Sequence, residues 1–178
     1  MPSNESSPYR AKVLVFGGAG RRRPDSAHCR NVLFLCRDNS AMSIIAEAIL
    51  DRWEGRGFRA FSAGTRRALE VHPLAADLLR ANRIWRPDLR PKDCAEFLNQ
   101  DAPRMDFVIS LGYQAPDGLP STWPGNPRII HWRISEPKVE GRPAENMGAL
   151  RRTFSELETR INLLVLVNQR ETLRKTAA

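Results

Sequence analysis

The sequence predicts an α/β protein, a three-layer sandwich in which a four-stranded parallel sheet is flanked by helices. Four short segments, at residues 32–35, 58–61, 107–111 and 128–132, read as strands, and segments of helical periodicity separate them. Near the end of the chain, Leu150, Phe154, Leu157, Ile161 and Leu164 recur at alternating four- and three-residue steps, the seam of an amphipathic helix. The run at 32–35 is apolar throughout, as a strand buried on both faces must be. In such sheets ligands sit beyond the carboxyl ends of the strands, which draws attention to the polar stretch directly after Leu35.

Each element follows from its own signals. Residues 1–10 are polar and rich in Ser and Pro, a composition that buries too little apolar surface to order. Lys12-Val-Leu-Val-Phe-Gly-Gly-Ala-Gly20 reads as a strand and a glycine turn, but Arg21-Arg-Arg-Pro24 follows where a dinucleotide site needs a helix. Three readings stay open for it: an extra strand, a loose arm, or residues upstream of the true start. After the strand at 32–35, a helix is expected over 43–53 with Ile45, Ala48, Ile49 and Trp53 on one face. The second strand runs into the small residues 62–65. His72-Pro73 opens a second helix with Leu74, Leu78 and Leu79 inward, and Pro is well suited to a first helical turn. A proline-rich loop over 85–91 precedes a short helix capped by Asp93. Residues 133–144 form an irregular loop, and the last helix covers 145–168.

With 178 residues, 42% of them hydrophobic, the chain is long enough to bury one core without staples. Three cysteines without metal-ligand or disulfide spacing fit a reducing cytoplasm, and no stretch has the apolar length of a membrane span. The net charge of +8 would suit nucleic acid if it lay on the folded body. It does not: residues 1–30 carry six basic and two acidic groups, and residues 170–178 three and one. The expected organisation is therefore a flexible basic extension (1–30), one domain (31–168) and a basic tail (169–178). Specific nucleic-acid or membrane partners, a metal and a cofactor are not expected.

Chemistry concentrates in Cys36-Arg-Asp-Asn-Ser-Ala-Met-Ser43. A strand that feeds a tight loop and then a helix start directs several backbone N–H groups and the positive end of the helix dipole to one point. A thiol there is expected to have a depressed pKa, because the same groups stabilise thiolate. The alternative is a buried cysteine at a strand end, behaving as a small apolar residue.

This loop resembles that of the low-molecular-weight protein tyrosine phosphatases and the arsenate reductases that share their fold. Their loop reads Cys-x5-Arg-Ser and runs on into Met-Ala-Glu-Ala, and here Cys36, Asn39, Ser40, Ser43, Ala46, Glu47 and Ala48 match. The likeness continues through Phe61-Ser-Ala-Gly-Thr65, His72-Pro-Leu-Ala75, Met105-Asp-Phe-Val108, Trp123-Pro-Gly125, His131-Trp132 and Glu136-Pro137, in the family's order. It implies the strand order 2-1-3-4. It implies also a phosphate-binding loop in which Cys36 attacks a phosphoryl group and forms a thiophosphoryl intermediate. In that scheme Glu136 is general acid and then base, Ser43 steadies the thiolate, and the backbone of Arg37, Asp38, Asn39, Ser40, Ala41 and Met42 holds the oxyanion. Tyr113, Trp85 and Trp132 are candidates for an aromatic rim, with a place in the core as the alternative for each.

Two departures bear on activity. Met42 stands where the family has an arginine whose guanidinium holds two phosphate oxygens, and a methionine offers neither donor nor charge. Arg37 follows the nucleophile directly, where an outward side chain is expected. Glu136 replaces the family's aspartic acid, and it reads equally as a solvated loop carboxylate. Arsenate reductases also use resolving cysteines, and the corresponding positions here are Ala41, Gly112 and Pro120. The resemblance thus implies a site for phosphate or arsenate, with a phosphotyrosine protein as the substrate class, and Met42 in place of the arginine implies impaired turnover. The alternative is a non-catalytic descendant that binds a phospho-ligand or a protein.

Overall fold

In the computed structural model, which describes residues 29–54, 56–137 and 143–176, four strands form one parallel sheet. The strands are β1 (Arg30–Cys36), β2 (Phe58–Gly64), β3 (Phe107–Gly112) and β4 (Arg128–Arg133), in the order β2-β1-β3-β4. The expectations for residues 1–28, including the strand-like segment at 12–16, lie outside the described residues. So does part of the irregular loop.

Among the described residues, three helices accompany the sheet: α1 (Met42–Asp51), α2 (Pro73–Ala81) and α3 (Pro143–Thr176). α3 continues through residues expected to form a tail, since no Pro or Gly interrupts the chain between Ala149 and Thr176. α2 starts where His72 caps it, Nδ1 accepting from the Leu74 N–H at 3.2 Å. A short 3-10 turn, Cys94–Phe97, is closed by a capping box between Asp93 and Glu96.

The pleat of β1 divides the core. Val32, Phe34 and Cys36 face α1, α2 and α3, while Leu33 and Leu35 face the opposite layer with Ala63, Cys94, Phe97, Met105 and Val108. Val32, Leu33, Phe34 and Leu35 have no exposed surface, which places β1 at the centre of the molecule. Its register sets Cys36 opposite Gly64 of β2, at the carboxyl end of the sheet. Every residue of α1 from Met42 to Leu50 is buried, so the helix that follows the Cys36 loop has no free face.

The end of α1 carries an ionic cluster. Asp51 contacts Arg86, which also reaches Asp88 at 3.2 Å and Glu47 at 4.0 Å. Burial pushes the Asp51 carboxyl up to about 7. The nearby Glu47 and Glu54 add to the rise, and Arg86 opposes it. An ordinary Asp ionises near about 4, so in the unfolded chain it gives up its proton earlier than in the folded protein. Stability is therefore lost as pH rises from about 4 to about 7 through this group. Thermal melts of wild type and Asp51→Asn between pH 5 and pH 8 check this. The difference in Tm should move in favour of the variant as pH rises, and movement toward wild type would contradict the assignment.

Candidate functional site

The loop between β1 and α1 is built around Asn39. Its backbone lies at φ +50°, in the left-handed region that Asn tolerates better than most residues, and its side chain has no exposed surface. Asn39 Nδ2 donates to Ser43 Oγ at 2.8 Å and to Ser62 Oγ at 2.9 Å, while Oδ1 accepts from the backbone N–H of Lys92 at 2.7 Å. One amide thus ties the loop to α1, to β2 and to the segment after α2. Its neighbours extend the chain. Ser43 Oγ lies 2.9 Å from Cys36 Sγ, the Asn39 N–H donates to the same sulfur at 3.2 Å, and the Ser62 hydroxyl donates to Glu47.

A second set of bonds fixes the outer edge of the loop. The N–H groups of Thr65, Arg66, Ala68 and His72 donate to the carbonyls of Cys36, Arg37, Asp38 and Ser40 at 3.2, 2.9, 2.7 and 2.9 Å. Such close approach requires glycine at position 64. A Cβ there would lie 2.6 Å from the Arg37 carbonyl oxygen and 3.0 Å from the Asn39 nitrogen. Ala41 carries the first bond of α1, its carbonyl accepting from the Ile45 N–H at 2.8 Å. Arg37 and Asp38 are exposed, and Ser40 and Ala41 are half-buried.

The expected acidity of Cys36 is corrected by this environment. Burial pushes the thiol above its ordinary value. The Ser43 hydroxyl and the N–H groups of Asn39, Ser43 and Asp38 act the other way but do not overcome it. Met42 adds no donor or charge to offset it. It is 7% exposed and packs in the same apolar cluster as Cys36, so the position that carries the cation in the resemblance supplies apolar surface.

The remaining expected residues spread around the carboxyl end of the sheet. Glu136 is exposed and lies beside the end of β3: a Cβ on Gly112, at φ +137°, would come 3.1 Å from Glu136 Oε1. The bond from the Ile134 N–H to the Gly112 carbonyl at 3.2 Å holds this segment in place. Of the aromatic candidates, Tyr113 is exposed under the Arg133 guanidinium at 5.2 Å. Trp132 instead packs on Phe34 with ring centroids 5.9 Å apart, and Trp85 stacks under Arg80 at 4.8 Å. Cys94 is buried on the opposite face of the sheet, and Cys29 precedes the far end of β1. A 480 Å³ cavity beside α2, lined by Leu69, Val71, Trp85 and Leu89 among others, includes no residue of the loop 36–43.

Sequence reasoning gave no role to Ser62, Glu47 or Lys92. Ser62 and Glu47 stand within matched motifs, which was the available signal. Lys92 follows a proline in a loop, and nothing in its neighbours indicates that its ammonium is buried.

Fold and loop together define a protein with a cysteine-based, phosphatase-like site at the carboxyl end of a parallel sheet. The family model for low molecular weight phosphotyrosine protein phosphatase matches residues 31–177, and the chain belongs to that family. An arsenate reductase of Halalkalibacterium halodurans is 28% identical over 131 residues, 73% of this chain and 91% of the relative. Among solved structures, the thioredoxin-dependent arsenate reductase Cg_ArsC1' of Corynebacterium glutamicum has a TM-score of 0.60 at 28% identity, over 82% of this chain and 65% of that one. An arsenate reductase in the phosphate binding state shares the fold, with a TM-score of 0.62 at 23% identity over 77% of this chain and 97% of that one.

The pKa direction of Cys36 is directly testable. The pH midpoint for alkylation of Cys36 should lie above that of a free cysteine, about 8.5. A midpoint below it would mean that the loop N–H groups and the helix dipole outweigh burial.

Proposed function

We propose that this protein binds phosphate or arsenate in the loop from Cys36 to Ser43 and hydrolyses phosphoric monoesters slowly, with Cys36 as nucleophile. The observation that carries this reading is the setting of the sulfur, at the end of the central strand with Ser43 Oγ at 2.9 Å and the Asn39 N–H at 3.2 Å. In the proposed reaction the Cys36 thiolate attacks phosphorus, an S–P bond forms and the P–O bond to the leaving group breaks. Glu136 gives its proton to the leaving oxygen. It then takes a proton from the water that attacks phosphorus, and the S–P bond breaks to release phosphate and thiolate. Ser43 donates to the sulfur, and the backbone of residues 37–42 faces the oxyanion. A phosphotyrosine protein is the proposed substrate class.

Two features predict low turnover. A buried thiol above its ordinary pKa offers little thiolate at neutral pH. The loop also lacks a guanidinium at position 42, and losing one preorganised donor typically costs about a hundred- to a thousand-fold in rate. The same two features favour the second reading, a binding protein that retains the loop without the chemistry. For arsenate we propose binding without an internal thiol cascade. Cys94 lies on the other sheet face, and seven strand residues at about 3.3 Å each separate Cys29 from the Cys36 end.

Turnover of a generic aryl phosphate by wild type, Cys36→Ser and Met42→Arg tests the proposal. Wild type should be slow, Cys36→Ser inactive, and Met42→Arg faster by about a hundredfold or more. Fast wild-type turnover with no gain in Met42→Arg would assign the missing charge to another group, with Arg37 first to examine. No turnover in wild type or Met42→Arg, with phosphate still protecting Cys36 from alkylation, would select the binding protein.

A further inference from the structure

Lys92 has no part in the chemistry above, yet it touches both the Cys36 loop and the helix that follows it. Its backbone N–H donates to Asn39 Oδ1 at 2.7 Å. Its ammonium donates to the two Glu47 oxygens at 3.0 and 3.3 Å and to the Arg90 carbonyl at 3.2 Å. Lys92 is 9% exposed and Glu47 6%, so the pair is largely withdrawn from water, where salt screens it little.

Donor and acceptor capacities give the buried chain a direction. The Lys92 N–H requires an oxygen opposite it, which fixes the Asn39 amide with Oδ1 toward residue 92 and Nδ2 toward the serines. Both hydrogens on Nδ2 are then directed to Ser43 Oγ and Ser62 Oγ. A carboxylate only accepts, so the Ser62 hydrogen goes to Glu47. Ser43 already accepts from Asn39, and its own hydrogen is free for Cys36 Sγ at 2.9 Å. That orientation suits an ionised sulfur. Arg86 also faces Glu47, at 4.0 Å, but it is shared with Asp51 and Asp88. The Glu47 charge is therefore balanced chiefly by Lys92.

We propose that Lys92 is a positioning residue for Cys36. Its main chain orients the Asn39 amide. Its ammonium neutralises Glu47, so that the carboxylate anchoring the chain places no uncompensated negative charge behind the thiolate. The inference rests on the reading of Cys36 as a working thiolate and deepens it, because it assigns a positioning role for the sulfur to a residue outside the loop.

The test is the rate at which iodoacetamide alkylates Cys36 at about pH 8 without oxyanion, where the rate follows the thiolate fraction. Lys92→Met should slow alkylation about tenfold, the equivalent of about one pKa unit. Glu47→Gln should speed it severalfold, and the neutral double variant should return close to wild type. Lys92→Arg, which keeps the charge, should stay closest to wild type among the single variants. A purely structural role would loosen the loop in both Lys92→Met and Glu47→Gln and speed both. An unchanged or faster Lys92→Met, or a double variant that does not recover, overturns the proposal. If Lys92→Met does not fold, Glu47→Gln carries the test, with hydrogen-exchange protection of α1 as the control for loosening. A rise in rate with that protection intact supports the proposal, and no rise, or a rise with protection lost, overturns it. Protection of wild-type Cys36 by phosphate is read separately, so failure of the oxyanion reading is distinguishable from failure of this one.

Discussion

The position of the Asn39 amide constrains the rest of the site. A buried amide must satisfy its donors and its acceptor, and an unmet bond costs about 1–3 kcal/mol. Here each bond ends on a different element: Ser43 on α1, Ser62 on β2 and the Lys92 backbone beyond α2. The loop cannot shift without breaking one of them. The left-handed backbone at Asn39 and the absence of a side chain at Gly64 let the chain come close enough for these bonds to form. The shape of the loop therefore does not require an arginine at position 42.

Shape and electrostatics separate in this protein. The hydrogen bonds around Cys36 favour thiolate, and its burial opposes them. In the resemblance, a guanidinium at the helix start would add a full positive charge beside the sulfur. Met42 adds apolar surface to the core cluster instead. With that charge gone, desolvation sets the direction of the thiol's pKa. The Glu47–Lys92 pair joins α1 to the segment after α2, and its net charge is zero. It does not replace the missing cation, but it keeps the carboxylate from working against the thiolate.

Most of the fold could be read from the sequence because it depends on periodicity. Residues 32–35 are apolar on both faces, and the seam from Leu150 to Leu164 has only one helical reading. Strand and helix ends were less legible: β2 continues to Gly64 and α3 to Thr176, since ladder partners and uninterrupted helix formers extend elements past their apolar stretches. The strand order came from resemblance, and the sheet has that order. For the loop, the sequence located the polar turn after β1 but misjudged the acidity of Cys36. A dipole and N–H groups can be inferred from a strand-loop-helix pattern, whereas burial of one sulfur depends on tertiary packing that no local pattern shows. Lys92 was illegible for a related reason. Its partner Glu47 lies 45 residues away, and nothing local indicates that a loop lysine turns inward.

The central claim is that the loop from Cys36 to Ser43 is a preformed oxyanion site held by Asn39. Backbone amide NMR during titration with inorganic phosphate tests it most directly, in wild type and in Asn39→Ala. The account predicts saturable shifts confined to the amides of residues 37–43 in wild type, and their loss or marked weakening in Asn39→Ala with the sheet resonances unchanged. Absence of shifts in wild type, or equal binding by the variant, would contradict it.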